Sequence, residues 1–301
     1  MINKPWTKTM PPEDHDNTLY RSVTTVPPPI RRLFNNFPLV TYQANDLPLR
    51  APSDRQQHVL YVFTTSDGAL RGDPSFNPGC LKWQAYLKFR GIDFITVASS
   101  NHASPSGALP FLLPSGASAS LLDQPKPVPT SKLQKWATEH SSSALEEPSD
   151  LRYEAYLSLL DHRIRRAWLY TLYLTPNNIT IAEPMYIHPT SSNPIVRAAI
   201  MQELCRAAEA ELLKYGPVID AETLYREAEE AFDALETTLG DGEWFFGAKQ
   251  PGLVDASVFA YTHLLLDNPA AGWKDSRLRD AVKMKSGLVR HRERILQSFF
   301  A

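Results

Sequence analysis

The chain has 301 residues, 43% of them hydrophobic, a formal net charge of −2, 25 prolines and two cysteines. That length and apolar content suffice for a sizeable core and suggest two domains, while the near-neutral balance argues against nucleic-acid binding, which needs a surplus of cations. Two thiols, Cys80 and Cys205, are too few for a disulfide scaffold or a structural zinc site and fit a reducing compartment.

Residues 1–57 read as an extended, proline-punctuated arm holding nine of the prolines, as in Val26-Pro-Pro-Pro29. Trp6, Tyr20, Phe34, Phe37 and Tyr42 are too many large apolar groups for a solvated tail, so the arm is expected to lie along the folded body or a partner. It has no apolar signal core, and Glu13, Asp14 and Asp16 are what a matrix-targeting presequence avoids. No run of about 18 apolar residues predicts a membrane-spanning helix.

The apolar, partly β-branched run Val59–Thr65 predicts a strand. Asn77-Pro78 opens a helix that stops at Gly91. Further strands are predicted over Phe94–Val97, Gly107–Leu113 and Ala119–Leu122. The order strand, helix, strand, strand, strand is that of a thioredoxin-like domain, placed at 58–129. Beyond it, residues 130–301 read as helices: Ser131–His140, the aromatic segment Leu151–Leu174, Ile195–Tyr215 with its apolar positions at helical spacing, Ala221–Leu239 capped by Asp220 and ended by Gly240, Val254–Leu266, and a basic helical tail over Asp275–Phe299. An α/β unit followed by an all-helical unit makes the expected class α+β, of the glutathione-transferase type.

Three segments resemble the metaxin family. They are Cys80–Gly91 with Ser104-Pro-Ser-Gly-Ala-Leu-Pro110, then Glu154–Asp161 with Ala167–Tyr173, and Trp244-Phe-Phe-Gly247 with Leu253–Tyr261 and Leu288–Ile295. Phe37-Pro-Leu-Val-Thr-Tyr42 is similar to fungal members, and the chain is identified with the smaller, peripheral type of metaxin-like subunit. The resemblance implies a non-enzymatic subunit of the mitochondrial outer-membrane sorting and assembly machinery, peripheral on the cytosolic face, that receives β-barrel precursors. Its implied partners are the barrel-forming core subunit and a second metaxin-like subunit, with no nucleic acid, no cofactor and no metal.

Transferases of this fold activate the glutathione thiol with Tyr, Ser or Cys after the first strand, where a helix N-terminus favours a thiolate. Here the candidates are Thr65, Ser66, Ser75 and Cys80, behind an insertion over Ser66–Phe76. In a thiol-redox relative the site would be Cys-Pro-x-Cys. This chain reads Asn77-Pro78-Gly79-Cys80, so the nucleophilic cysteine is gone and Cys80 takes the more buried place. The acid-serine pair that holds the tripeptide's amino end is represented by Asp123 alone, followed by Gln124-Pro125. The alternative reading is a glutathione-dependent transferase or thiol enzyme using Cys80 or Ser75; the preferred one has no catalytic residue. The eight histidines show no metal-ligand spacing.

Pro110 is expected in the cis form of Leu109-Pro110 and, with Asp255, is assigned to the fold; a residual peptide site beside it stays open. In Gly252-Leu-Val-Asp255 the glycine has lost the side-chain acceptor of a capping box, leaving the Asp255 half. Two basic clusters are candidates for partner or membrane contact. They are Arg163, Arg165 and Arg166 on the aromatic helix, and Arg290, Arg292 and Arg294 in the tail, where Lys274–Arg294 holds eight Lys and Arg against three acids. Trp168, Tyr170 and Tyr173 are expected in the core.

Overall fold

A computed structural model of the chain describes residues 54–117, 126–141, 151–176, 178–267 and 273–300, all within the unit Ala44–Ala301. Most of the arm and the segment holding Ala119–Leu122 and Asp123-Gln124-Pro125 lie outside the described residues.

A four-stranded mixed sheet forms the first part. Strand β2 (His58–Val62) runs parallel to β3 (Phe94–Ala98) and antiparallel to β4 (Phe111–Leu113), which pairs antiparallel with β6 (Val128–Pro129). A small antiparallel ladder joins β1 (Asp54–Arg55) to β5 (Gly116–Ala117). Helix α1 (Ser66–Arg71) fills the insertion, and α2 (Pro78–Phe89) connects it to β3.

Two strands are shorter than the residue pattern predicts. The first stops at Val62 because Thr65 turns out to cap α1, its Oγ1 accepting from Gly68 N at 3.0 Å. The third begins only at Phe111. Residues 104–110 form a turn held by Ser104 Oγ donating to Ala108 O at 2.7 Å, with Gly107 at φ +73° and a cis Leu109-Pro110 bond. The strand Val128–Pro129 falls in a proline-rich stretch that carries no strand signal, so the sequence reading missed it. It is a sheet edge, where a missing proline N–H costs least.

The second part is helical. Helix α3 is Thr130–His140. Helix α4, residues 151–174, contains two π-helical stretches, Leu160–Ile164 and Tyr170–Leu174, the second closed by Thr175 N donating to Tyr170 O at 3.1 Å. Helix α5, residues 179–187, was not foreseen and ends in a third π stretch, Glu183–Ile187. Helices α6 (Pro194–Leu212), α7 (Ala221–Leu239) and α8 (Leu253–Leu266) follow, and the basic tail is two helices, α9 (Arg277–Lys283) and α10 (Ser286–Phe299).

Helix α8 is the axis of the core. Every residue from Leu253 to Leu265 is buried, and it packs on α2, α9 and α10. Helix α7 is amphipathic as predicted, burying Leu224, Ala228, Ala231, Phe232, Leu235 and Leu239. Helix α6 departs from its pattern. Only Ala208 and Leu212 are buried, Ile200, Met201 and Leu204 are half-buried, and Ile195 is 80% exposed. It leans on the second π stretch of α4 and on α5, so its regular spacing does not translate into one covered face.

The site at the first turn of helix α2

Proline at the first helical position lacks an N–H that would be unsatisfied anyway, and Asn77 caps the turn. Asn77 Oδ1 accepts from Cys80 N at 3.1 Å. Its Nδ2 donates to the Tyr186 hydroxyl at 3.2 Å, and that hydroxyl donates to Phe76 O at 3.3 Å. Tyr186 comes from α5, and its ring meets Phe63 at 5.2 Å and Phe76 at 5.3 Å, both edge-on. The helix end where a transferase exposes a thiol-activating group is thus covered by a tyrosine from the helical part.

Two of the four candidate nucleophiles, Cys80 and Ser75, sit behind this cover. Cys80 is fully buried, and burial pushes its thiol up to about 12. A thiol so placed carries almost no thiolate at neutral pH. Ser75 is fully buried too: its Oγ donates to Phe63 O at 2.6 Å and accepts from Asn77 N at 3.2 Å. Its N–H donates to Gln84 Oε1 at 2.9 Å, and Gln84 Nε2 donates to Asp73 O at 2.9 Å. Cys80 and Ser75 serve the turn, with no face toward solvent. Tyr186 is pushed well above the ordinary phenol range by burial and by the neighbouring Tyr173, itself raised by burial, so neither phenol is a base. Thr65 and Ser66 remain exposed, and both line a cavity of about 700 Å³ with Ser99, Ser100 and His102.

A second cavity, of about 330 Å³, lies on the other side of the Asn77 turn, between α2, α4 and α8. Trp168 and Tyr173 belong both to the core and to this cavity's wall; Trp168 packs edge-on against Trp273 at 5.4 Å. Tyr170 packs on Tyr225 at 6.0 Å.

The basic clusters are largely engaged inside the chain. Arg163 lies 3.7 Å from Glu227 and 3.6 Å from Glu230, Arg165 3.1 Å from Glu211, and Arg166 3.2 Å from Glu227. These pairs tie α4 to α6 and α7. In the tail, Arg292 pairs with Asp267 at 3.0 Å, and Arg294 donates to Glu243 O at 2.7 Å and lies over the Trp244 ring. Arg290 is exposed, its Nη1 3.5 Å from Ser286 Oγ one turn earlier.

Asp255 does more than the residue pattern indicated. Its Oδ2 accepts from Gly252 N at 2.8 Å, the remaining half of the cap. Its Oδ1 accepts from Phe245 N at 3.1 Å and lies 2.9 Å from His291 Nε2. Asp255 and His291 are 2% and 0% exposed.

Sequence reasoning missed Tyr186. It sits in a proline-containing segment whose π-helical turn has no periodic signature, and only tertiary packing brings it to residue 77.

A glutathione S-transferase N-terminal domain model matches residues 78–178, and a glutathione S-transferase C-terminal domain model matches 228–295. Metaxin-3 of Xenopus laevis is 28% identical over 243 residues, covering 77% of this chain and 75% of that one. Among solved structures, a glutathione transferase family member from Pseudomonas fluorescens with two glutathione bound is 14% identical, covers 80% of this chain and 88% of its own, and superposes with a TM-score of 0.44. The glutathione transferase YghU from Streptococcus pneumoniae, complexed with glutathione, is 13% identical with 84% and 82% covered and a TM-score of 0.45. The two family models, in chain order on a mixed sheet followed by helices, and the long metaxin match make this chain a metaxin-like protein with an α+β, glutathione-transferase-type fold.

Proposed function

We propose that this chain is a non-enzymatic subunit of the mitochondrial outer-membrane sorting and assembly machinery, receiving β-barrel precursors and supporting their insertion. The observation that carries the reading is the sealing of Cys80 and Ser75 at the start of α2. A transferase-type fold is kept, while Asn77, Tyr186 and the buried Cys80 leave the thiol-activating position filled by the chain itself. The likeness to Metaxin-3 over 77% of the chain supports a metaxin-type role. The partners in this reading are the barrel-forming core subunit and a second metaxin-like subunit. Attachment to the cytosolic face is peripheral. Among the described residues no helix is long and apolar enough to cross a membrane, which fits that mode of attachment. Arg290, exposed on α10, is the cation of the two clusters best placed for an acidic partner or anionic headgroups.

The test is affinity purification of the intact, tagged chain from mild-detergent extracts of mitochondria. Co-purification of the barrel-assembly core, and no retention on immobilised glutathione, are expected. Recovery from mitochondria without that core overturns the proposal. Turnover with glutathione that is lost in Cys80→Ala or Ser75→Ala establishes the enzymatic alternative instead.

A further inference from the structure

The cavity of about 330 Å³ beside Asn77, Pro78 and Gly79 has a composition that core packing does not require. Its size falls at the lower end of ligand pockets, about 300–1,000 Å³. Trp83, Leu157, Trp168 and Tyr261 give it an apolar, largely aromatic wall. Its charged lining is Lys82, Arg165 and Asp161, two cations against one carboxylate. Arg165 is committed to Glu211 at 3.1 Å. Asp161 is exposed, at the outer side.

Lys82 is different. Its ammonium lies 5.3 Å from the Trp83 ring centroid, and among the described residues no carboxylate comes within ion-pair distance of it. Burial pushes its pKa down, against the opposing pull of Asp161. The residue is half-buried, and holding an ammonium partly out of water without a bonded anion is costly. The 12-residue helix α2 turns its N-terminal end, the positive end of its dipole, toward the same space. Leu160 and Asp161 on one side and Tyr173 on the other come from the two π stretches of α4, a distortion that recurs at functional sites.

We propose that this cavity binds a small amphipathic carboxylate, its anion against the Lys82 ammonium and its hydrocarbon body between Trp83, Trp168 and Tyr261. The site takes no part in the proposed import role and stands or falls separately from it.

The experiment is isothermal titration of the full chain with octanoate and, as the neutral analogue, octan-1-ol. Wild-type protein is expected to bind one octanoate saturably and about tenfold tighter than the alcohol, the worth of one charge-assisted contact. Lys82→Met removes the charge at similar length and is expected to erase that tenfold preference while leaving alcohol binding unchanged, which also reports an intact cavity. Leu157→Trp fills the space from a half-buried position and is expected to weaken both ligands. The proposal is overturned by any of four results: no saturable octanoate binding, no preference over the alcohol, the same preference in Lys82→Met, or undiminished binding in Leu157→Trp.

Discussion

Replacing Asp255 with alanine tests how much of the helical part hangs on one buried carboxyl group. Three donors converge on it: Gly252 N at 2.8 Å, Phe245 N at 3.1 Å and His291 Nε2 at 2.9 Å. At 2% exposure, water has little access to replace it. Each buried donor left without an acceptor costs about 1–3 kcal/mol. The Gly252 contact is also the cap of α8, since glycine contributes no side-chain acceptor of its own. The Phe245 contact holds the turn in which Phe246 sits at φ +60°, a left-handed conformation that costs a non-glycine residue about 1–2 kcal/mol. Allowing for partial relaxation, Asp255→Ala is expected to destabilise the chain by about 4 kcal/mol, a large share of the about 5–15 kcal/mol typical of folded domains. Asp255→Asn keeps the shape but can accept through one oxygen only, so about half that loss is expected. The assay is urea unfolding of the full chain followed by tryptophan fluorescence, with the slope checked for constancy. A loss under about 1 kcal/mol for Asp255→Ala at unchanged slope would refute the claim that this carboxyl group joins the cap, the Phe246 turn and α10.

Two further outcomes follow from buried titratable groups. His263 is 6% exposed, and burial, aided by the Arg292 charge, lowers its pKa from 6.5 to about 4. The unfolded chain therefore binds a proton between pH 6.5 and about 4 that the folded chain refuses. Stability from this group is complete above pH 6.5, falls as pH drops toward 4 and is flat below; 2.5 units at 1.36 kcal/mol each make about 3 kcal/mol. His263→Leu is expected to remove that slope from urea midpoints measured across the window, and parallel pH profiles of variant and wild type would contradict it. For the thiols, a chromogenic disulfide reagent at pH 8 is expected to modify the half-buried Cys205 in the native protein, and Cys80 only as the chain unfolds. Equal native rates at the two cysteines would refute the sealed turn.

How far the sequence disclosed this arrangement depended on whether the cause was local. The helix start at Asn77-Pro78, the stop at Gly91, the Asp220 and Gly240 boundaries of α7 and the Asp255 half-cap are set by residues within one or two turns, and all were readable. Helix α8 was readable as well, as the helix expected over Val254–Leu266, though not its burial on every side. The strand at Val128–Pro129 was not, since its pairing is imposed by Leu112 and Phe111 across the sheet against the residues' own preference. Nor were the π stretches, whose extra residue per turn leaves no period in the sequence. The basic cluster at Arg163, Arg165 and Arg166 reads as a free charge run because its counter-charges, Glu211, Glu227 and Glu230, lie 46 to 67 residues away in α6 and α7.

The same distinction bears on the lost transferase site. A thiolate at a helix N-terminus needs an accessible donor group, unengaged N–H groups and room for the tripeptide. In this chain Asn77 Oδ1 takes the Cys80 N–H, the Tyr186 hydroxyl takes the Asn77 amide, and the Tyr186 ring, edge-on to Phe63 and Phe76, fills space above the turn. These are satisfied groups packed together, unlike a mere deletion of a catalytic residue. Restoring a cysteine at position 77 would return one of the three requirements while removing the cap and leaving Tyr186 in place. Tyr186 is held there by α5, which carries Ile181, Ala182 and Ile187, all fully buried. The closure is therefore bound up with the packing of the helical part. That is why the useful surfaces of this chain are expected elsewhere: the Lys82 cavity behind the turn and the outward face of α10.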